Sequence, residues 1–280
     1  MMHEKPYSAA VQTAHDYYDS EDADNFYALV WGGEDIHVGL YDYPQEAIDT
    51  ASRRSNQVMA EQTPGLDAST RVIDLGSGYG GALRYLARHY GCSGVGLNLS
   101  ARENARARRK NVEQGLDERI EIVGGNFEEV PYADDSFDVV RSQEAFLHSG
   151  DRRRVMEEAV RVLRPGGILI FTDPMQADDR SNEGLQPILD RLHLESLGSP
   201  AFYRDTLEAL GLEELGFDQR GDMIAAHYGR VLEVLIEEEQ QIARAVSTAY
   251  IERMKRGLQH WVDGGRRGDL TWGIFVFRKP

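Results

Sequence analysis

The chain has 280 residues, 41% hydrophobic and 28% charged, enough for a sizeable core and outside the ranges of collagen-like, low-complexity and wholly disordered proteins. Its 31 basic and 47 acidic residues leave a net charge of -16, a field that repels phosphate backbones and anionic headgroups, so neither nucleic acid nor a membrane surface is an expected partner. No apolar run approaches the roughly 20 residues of a bilayer-spanning helix, the single Cys92 cannot close an intrachain disulfide, and the first residues lack an apolar signal core, so a cytoplasmic location is expected.

Residues 7–62 precede the first apolar burst and hold six of the thirteen tyrosines (Tyr7, Tyr17, Tyr18, Tyr27, Tyr41 and Tyr43) together with Phe26 and Trp31, which reads as an aromatic N-terminal cap. From Arg71 onward, strand-length apolar bursts alternate with segments of helical period, the pattern of a parallel sheet wrapped by helices. Strands are expected at 71–75, 94–98, 119–123, 137–141 and 167–173, with a helix at 83–89, a basic helix N-capped by Ser100, and a helix through Val155, Ala159, Val162 and Leu163. Pro165-Gly166-Gly167 is expected to stop that helix and turn the chain into the fifth strand. The alternation then breaks: 185–197 and 204–210 read as helices, 212–217 as a short strand and 223–262 as mostly helical, before a last strand within 270–278. The long helices are thus inserted between two strands and expected to cap one end of the sheet. The expected division is an N-terminal cap (1–65), a cofactor-binding core (66–174), and a remainder (175–280) that belongs to the same domain. Nothing in the pattern fixes an oligomeric state.

The segment Val72-Ile73-Asp74-Leu75-Gly76-Ser77-Gly78-Tyr79-Gly80-Gly81 runs from strand through glycines into helix, the topology that opens a nucleotide crevice at the carboxyl ends of strands. Glycines accept positive φ and let a ligand approach the backbone. The spacing also satisfies G-x-G-x-x-G, so an NAD-dependent oxidoreductase stands as an alternative. Asp74 before the first glycine and Gly125-Asn126-Phe127 after the third strand favour S-adenosylmethionine instead.

Residues 71–173 resemble the class I methyltransferases: D-L-G-S-G-Y-G-G for the first motif, Asn98 ending strand two, Asn126-Phe127, and R-V-L-R-P-G-G before strand five. The resemblance implies a Rossmann-like sheet. It also implies S-adenosylmethionine held by Asp74, Gly76, Gly78, Asn98 with Leu99, Asn126, Phe127 and Gln143. Where the family commonly has acids at the ribose and adenine positions, this chain has Asn98 and Asn126, whose amides bond without charge assistance.

Ser142-Gln143-Glu144-Ala145-Phe146-Leu147-His148 follows strand four, where an open sheet presents side chains to the crevice. With Tyr17-Tyr18 it resembles small-amine N-methyltransferases such as the phosphoethanolamine enzymes, in which a tyrosine and this histidine latch the site. From Tyr17 to Trp272 the blocks Y-Y-D-S-E-D-A-D-N-F-Y, W-G-G-E-D-I-H-V-G-L-Y, S-Q-E-A-F-L-H-S, T-D-P-M, Q-P-I-L-D-R, M-K-R-G-L-Q-H-W and L-T-W-G are similar to the sarcosine/dimethylglycine N-methyltransferases. That resemblance implies N-methylation of a small amino acid, toward glycine betaine. Glycine or phosphoethanolamine methylation is the nearer alternative.

Methyl transfer to an amine consumes charge, so the site gains most from alignment and exclusion of water and needs no metal. No histidine joins acids or the cysteine in a ligand-like spacing. His148 or Tyr18 is the expected catalytic group, with Glu144 in the same network. Tyr18, Trp31 and Tyr203 are candidate aromatic faces for a methylammonium, and Arg191 and Arg204 stand level as the fork for a substrate carboxylate.

Overall fold

The computed structural model describes residues 9–280, with side chains described from Val11 onward; Tyr7 lies outside the described residues. Three helices open the chain, α1 (Ala9–Tyr18), α2 (Glu21–Val30) and α3 (Ile48–Glu61). The alternating core follows: β1 (Arg71–Leu75), α4 (Gly81–Tyr90), β2 (Ser93–Asn98), α5 (Ala101–Glu113), β3 (Ile120–Gly124), β4 (Phe137–Gln143), α6 (Arg152–Val162) and β5 (Leu163–Thr172). The rest comprises β6 (Met175–Gln176), α7 (Gln186–Leu192), α8 (Pro200–Ala209), β7 (Glu213–Gln219), α9 (Asp222–Glu237), α10 (Glu239–Ile242), α11 (Thr248–Arg267), β8 (Leu270–Thr271) and β9 (Gly273–Arg278).

Seven strands form one sheet in the order β3-β2-β1-β4-β5-β9-β7. Pairs within β3 to β5 are parallel, and β9 runs antiparallel to both neighbours. The chain travels outward from β1 in one direction and resumes on its other side with β4, so a crevice opens at the carboxyl ends of these two strands. The strands are buried on both faces, as a parallel sheet requires: β1 is apolar at Val72, Ile73 and Leu75, none of them exposed.

The α/β class is as expected, with local differences. Helix α6 ends at Val162, before Pro165, because the residue preceding a proline avoids the helical region. Residues 163–166 then follow an irregular pairing, with a register shift between Phe137 and Val139 of the partner strand and Gly166 at φ +81°. Helix α7 stops at Leu192, where His193 takes φ +54°, well short of 197. Helix α8 starts four residues earlier than expected, at Ser199-Pro200, a cap followed by proline at the first helical position. The last strand is two: β8 pairs with β6 outside the main sheet, and the unexposed Trp272 separates it from β9.

Helices α9 to α11 are inserted between β7 and β9 and pack with the N-terminal helices in one apolar body that includes Phe26, Tyr27, Trp31, Val231, Tyr250 and Met254. Two segments from opposite ends of the chain, separated by the whole alternating core, therefore close over the same end of the sheet. No helix among the described residues is long and apolar enough to cross a membrane.

Candidate active site

The glycine loop leaves β1 with the Gly76 N–H donating to Leu97 O at 2.8 Å. A Cβ on Gly76 would stand 2.3 Å from Ala145 Cβ, so the loops after β1 and β4 meet here and only glycine fits at φ +80°. Gly81 is constrained differently: a Cβ there would lie 2.2 Å from Asp35 Oδ1, because the 34–36 segment seats on the loop.

Beside the loop a cavity of about 630 Å³ is lined by Gly76, Gly78, Asn98, Leu99, Phe127 and Gln143 among others. At the end of β2, Asn98 Nδ2 donates to Glu103 Oε2 at 2.8 Å. Glu103 is buried in the first turn of α5, and burial pushes its carboxyl up to about 7, against the hydrogen bond from Asn98. An acid absent from position 98 thus stands beside it at position 103, where it also lines the cavity. Phe127 walls the cavity, edge-on to Phe146. Asn126 does not line it: its Oδ1 accepts the Glu128 N–H at 2.9 Å in a local turn.

At the other end of the loop, Asp74, Gln143, Asp35 and His37 line a smaller, contiguous cavity. Burial pushes the Asp74 carboxyl up while the Arg141 guanidinium, 4.0 Å away, opposes it. Gln143 Oε1 accepts from Arg141 Nη2, and Gln143 Nε2 is a buried donor without a hydrogen-bond partner among the described residues. Burial lowers the His37 imidazole, but Asp35 at 3.5 Å more than offsets this and holds it above the ordinary histidine value.

A second large cavity, about 610 Å³, lies between the sheet end and the helical caps and shares Tyr18, Ile36, Glu144 and His148 with the first. Tyr18 Oη and His148 Nε2 are 2.9 Å apart. Burial, with a smaller push from Arg191, brings His148 down to about 4, and burial raises the Tyr18 phenol well above its usual value. At neutral pH both are uncharged, so the contact is a hydrogen bond between a neutral phenol and a neutral imidazole. Glu144 stands at φ +50°, its Oε1 accepting from Thr172 Oγ1 (2.5 Å) and Trp272 Nε1 (2.7 Å) and its Oε2 from the Val38 N–H (2.8 Å). Three donors hold this carboxylate at the junction of the two large cavities.

The two arginines separate. Arg191 enters the aromatic cavity, and its Nη1 is buried with no hydrogen-bond partner among the described residues. A Cβ on Gly257 of α11 would stand 1.6 Å from that nitrogen, so the helix leaves room for the guanidinium. Arg204 is elsewhere: it pairs with Glu214 at 2.7 Å and lies over the Phe217 ring on the outer strand β7. Tyr203 lies outside the cavity as well, its hydroxyl spent on Asp173 Oδ2 at 2.7 Å beneath α8. Trp31 does line it, joined by Tyr17, Tyr27, Tyr228 and His227, none of which except the tyrosines of the N-terminal cap carried a sequence signal. Among the described residues no group of three or more His, Cys, Asp or Glu is placed to hold a metal ion.

These groups fit S-adenosylmethionine: a loop open to the backbone at Gly76 and Gly78, the free donor of Gln143, the Asn98–Glu103 pair for ribose hydroxyls, and the Phe127 wall for a purine. Residues 73–171 match a family model described as a methyltransferase domain. With the strand order and the glycine loop, this defines an S-adenosylmethionine-dependent methyltransferase. The chain is 57% identical to a sarcosine/dimethylglycine N-methyltransferase of Halorhodospira halochloris over 96% of its own length and 97% of that protein. It is 47% identical to one of Aphanothece halophytica over 97% and 98%. A solved structure from Galdieria sulphuraria, assigned as a sarcosine dimethylglycine methyltransferase, superposes with a TM-score of 0.89 at 44% identity, covering 94% of this chain and 98% of the other. The chain belongs to the sarcosine/dimethylglycine N-methyltransferase family.

Proposed function

We propose that the protein methylates the nitrogen of sarcosine and dimethylglycine, giving dimethylglycine and glycine betaine. The observation that carries this reading is Arg191, whose Nη1 is buried with no hydrogen-bond partner among the described residues, in an aromatic cavity that opens onto the cofactor cavity at Glu144. A buried unpaired cation is costly and calls for an anionic ligand, and a carboxylate matches its planar fork. S-adenosylmethionine supplies a sulfonium methyl when bound.

The chain's residues then orient the amino acid. Arg191 takes the carboxylate, which directs the nitrogen toward Tyr18, Glu144 and His148 at the junction. The amine attacks only when unprotonated; Glu144 Oε2, which accepts one N–H from the protein, retains a lone pair for the N–H of sarcosine and for the N–H of the dimethylglycine ammonium before that proton leaves to solvent. The neutral Tyr18–His148 pair acts as a latch that closes α1 over the amine and excludes water. The cationic product is favoured by the Tyr18 and Trp31 rings, each worth about 0.5 to 2 kcal/mol, and by the Glu144 charge. In this reading the N-terminal cap (1–65) and the inserted helices of 175–280 build the substrate cavity, 66–174 hold the cofactor, and the enzyme works in the cytoplasm.

The test is incubation with S-adenosylmethionine and, in parallel, glycine, sarcosine, dimethylglycine and phosphoethanolamine, with product masses measured. Methylated product from sarcosine and dimethylglycine is expected. Turnover confined to phosphoethanolamine, or reduction of NAD with no methylation, would refute the reading.

A further inference from the structure

One buried histidine of the aromatic cavity has no part in the chemistry above. His227 lies on α9, 1% exposed, with its ring 5.4 Å from Trp31 and 5.3 Å from Tyr228 by centroid. Its Nδ1 meets the Gly39 N–H at 3.2 Å and the Tyr41 hydroxyl at 2.9 Å. A backbone N–H can only donate, so Nδ1 is an acceptor and carries no proton. Burial keeps the Tyr41 phenol protonated by raising it well above its usual value, so this group donates to Nδ1 as well. Burial, with a smaller contribution from His37, also pushes the His227 imidazole down to about 3, so the ring is neutral. A neutral imidazole with bare Nδ1 holds its one proton on Nε2. The tautomer is therefore fixed from outside the cavity, and Nε2 makes no hydrogen bond with any described residue.

From this, and resting on the proposed function, we infer that the His227 Nε2–H is a second anchor for the substrate's carboxylate, opposite in role to Glu144. Arg191 and His227 are donors without acceptor capacity in the same cavity, whereas Glu144 at its junction with the cofactor cavity is an acceptor. A zwitterionic amino acid fits such a gradient in one orientation only, carboxylate toward Arg191 and His227 and nitrogen toward Glu144. Being neutral, the imidazole adds a directional bond without placing a second bare cation in an apolar cavity. The partners on Nδ1 hold the ring in place before the substrate arrives, so binding orders one side chain fewer.

Two substitutions divide the ring's two nitrogens. His227→Asn keeps an acceptor where Nδ1 meets Gly39 and loses the reach of Nε2; His227→Gln sets an N–H near Nε2 and gives up the Gly39 contact. The expected result for His227→Asn is a KM for sarcosine raised about 10-fold, with kcat within about threefold and the wild-type melting temperature and calorimetric affinity for S-adenosylmethionine retained. His227→Gln is expected to recover most of the KM at some cost in melting temperature. With N-methylethanolamine, which has no carboxylate, His227→Asn and wild type are expected to share one KM. A folded His227→Asn with the wild-type KM for sarcosine, or with an equal rise for N-methylethanolamine, overturns the inference and leaves the proposed function standing. A wild-type protein that gives no N-methylated product from sarcosine overturns both.

Discussion

Replacing Gly257 by alanine asks whether the reach of Arg191 sets substrate affinity. The added Cβ would stand 1.6 Å from Arg191 Nη1 and 2.8 Å from its Cζ, and a tolerable contact begins near 3.4 Å. The guanidinium must therefore retreat by 3.4 minus 1.6, about 1.8 Å along that line, and a hydrogen bond formed at about 2.8 Å stretches beyond its useful range. Losing one charged hydrogen bond costs roughly 1.5 to 3 kcal/mol, or about 10- to 150-fold in KM for sarcosine. Stability moves the other way, because alanine gains up to about 1 kcal/mol over glycine in a helix interior, offsetting the repacking of one flexible side chain. The expected variant is folded, binds S-adenosylmethionine normally by calorimetry, and has a raised KM with a nearly unchanged maximal rate. In the double variant Gly257→Ala/Arg191→Lys, which removes the crowded Nη1, the KM is expected to lie below that of Gly257→Ala. A folded Gly257→Ala protein with a KM within twofold of wild type would refute the reasoning.

Gly76→Ala is expected to abolish measurable cofactor binding, since its Cβ would lie 2.3 Å from Ala145 Cβ at a φ of +80°; normal calorimetric affinity in a folded variant would remove the loop from the site. Glu103→Gln tests a buried carboxyl whose folded pKa of about 7 lies above its usual 4.5, so the wild type loses stability as pH rises from about 4.5 and the penalty is fully present above 7. The variant should be more stable than wild type above pH 7, by on the order of 3 kcal/mol at most, and the gain should vanish as pH falls to 4.5; denaturant melts at both ends check the sign. Tyr18→Phe, His148→Ala and their combination are expected to lose similar activity, because the 2.9 Å contact makes them one unit. Single-turnover rates that multiply independently would contradict the latch.

The sheet and its glycine loop were readable because their signals are local: an apolar burst, then Gly76, Gly78 and Gly80 at positive φ. The same holds for Ser142 to His148, which runs on from the carboxyl end of β4, where side chains face the crevice. The choice between Arg191 and Arg204 was not readable. Each lies on a short helix after β5, and they are told apart by what meets them in space, an opening at Gly257 for one and Glu214 for the other. One trace was present, since Gly257 interrupts an otherwise regular helix at Met254 to Trp261, and an isolated glycine there marks a close approach. Glu103 also left a mark, as the fourth residue of a Ser100-x-x-Glu pattern, which reads as a helix cap; its side chain turns instead to Asn98. His227 left none. Its tautomer depends on Gly39 and Tyr41, nearly 190 residues away, and pairings of that kind are made only by the fold.

The most direct test of the account is the ratio of kcat/KM for dimethylglycine to that for N,N-dimethylethanolamine, measured in the wild type and in Arg191→Met. The two acceptors share the reacting nitrogen and differ in the carboxylate. If Arg191 holds that carboxylate, the wild type prefers dimethylglycine strongly, and the substitution lowers the ratio by about 10- to 150-fold, the worth of one charged hydrogen bond, while affinity for S-adenosylmethionine is unchanged. A ratio that survives the loss of Arg191 would contradict it.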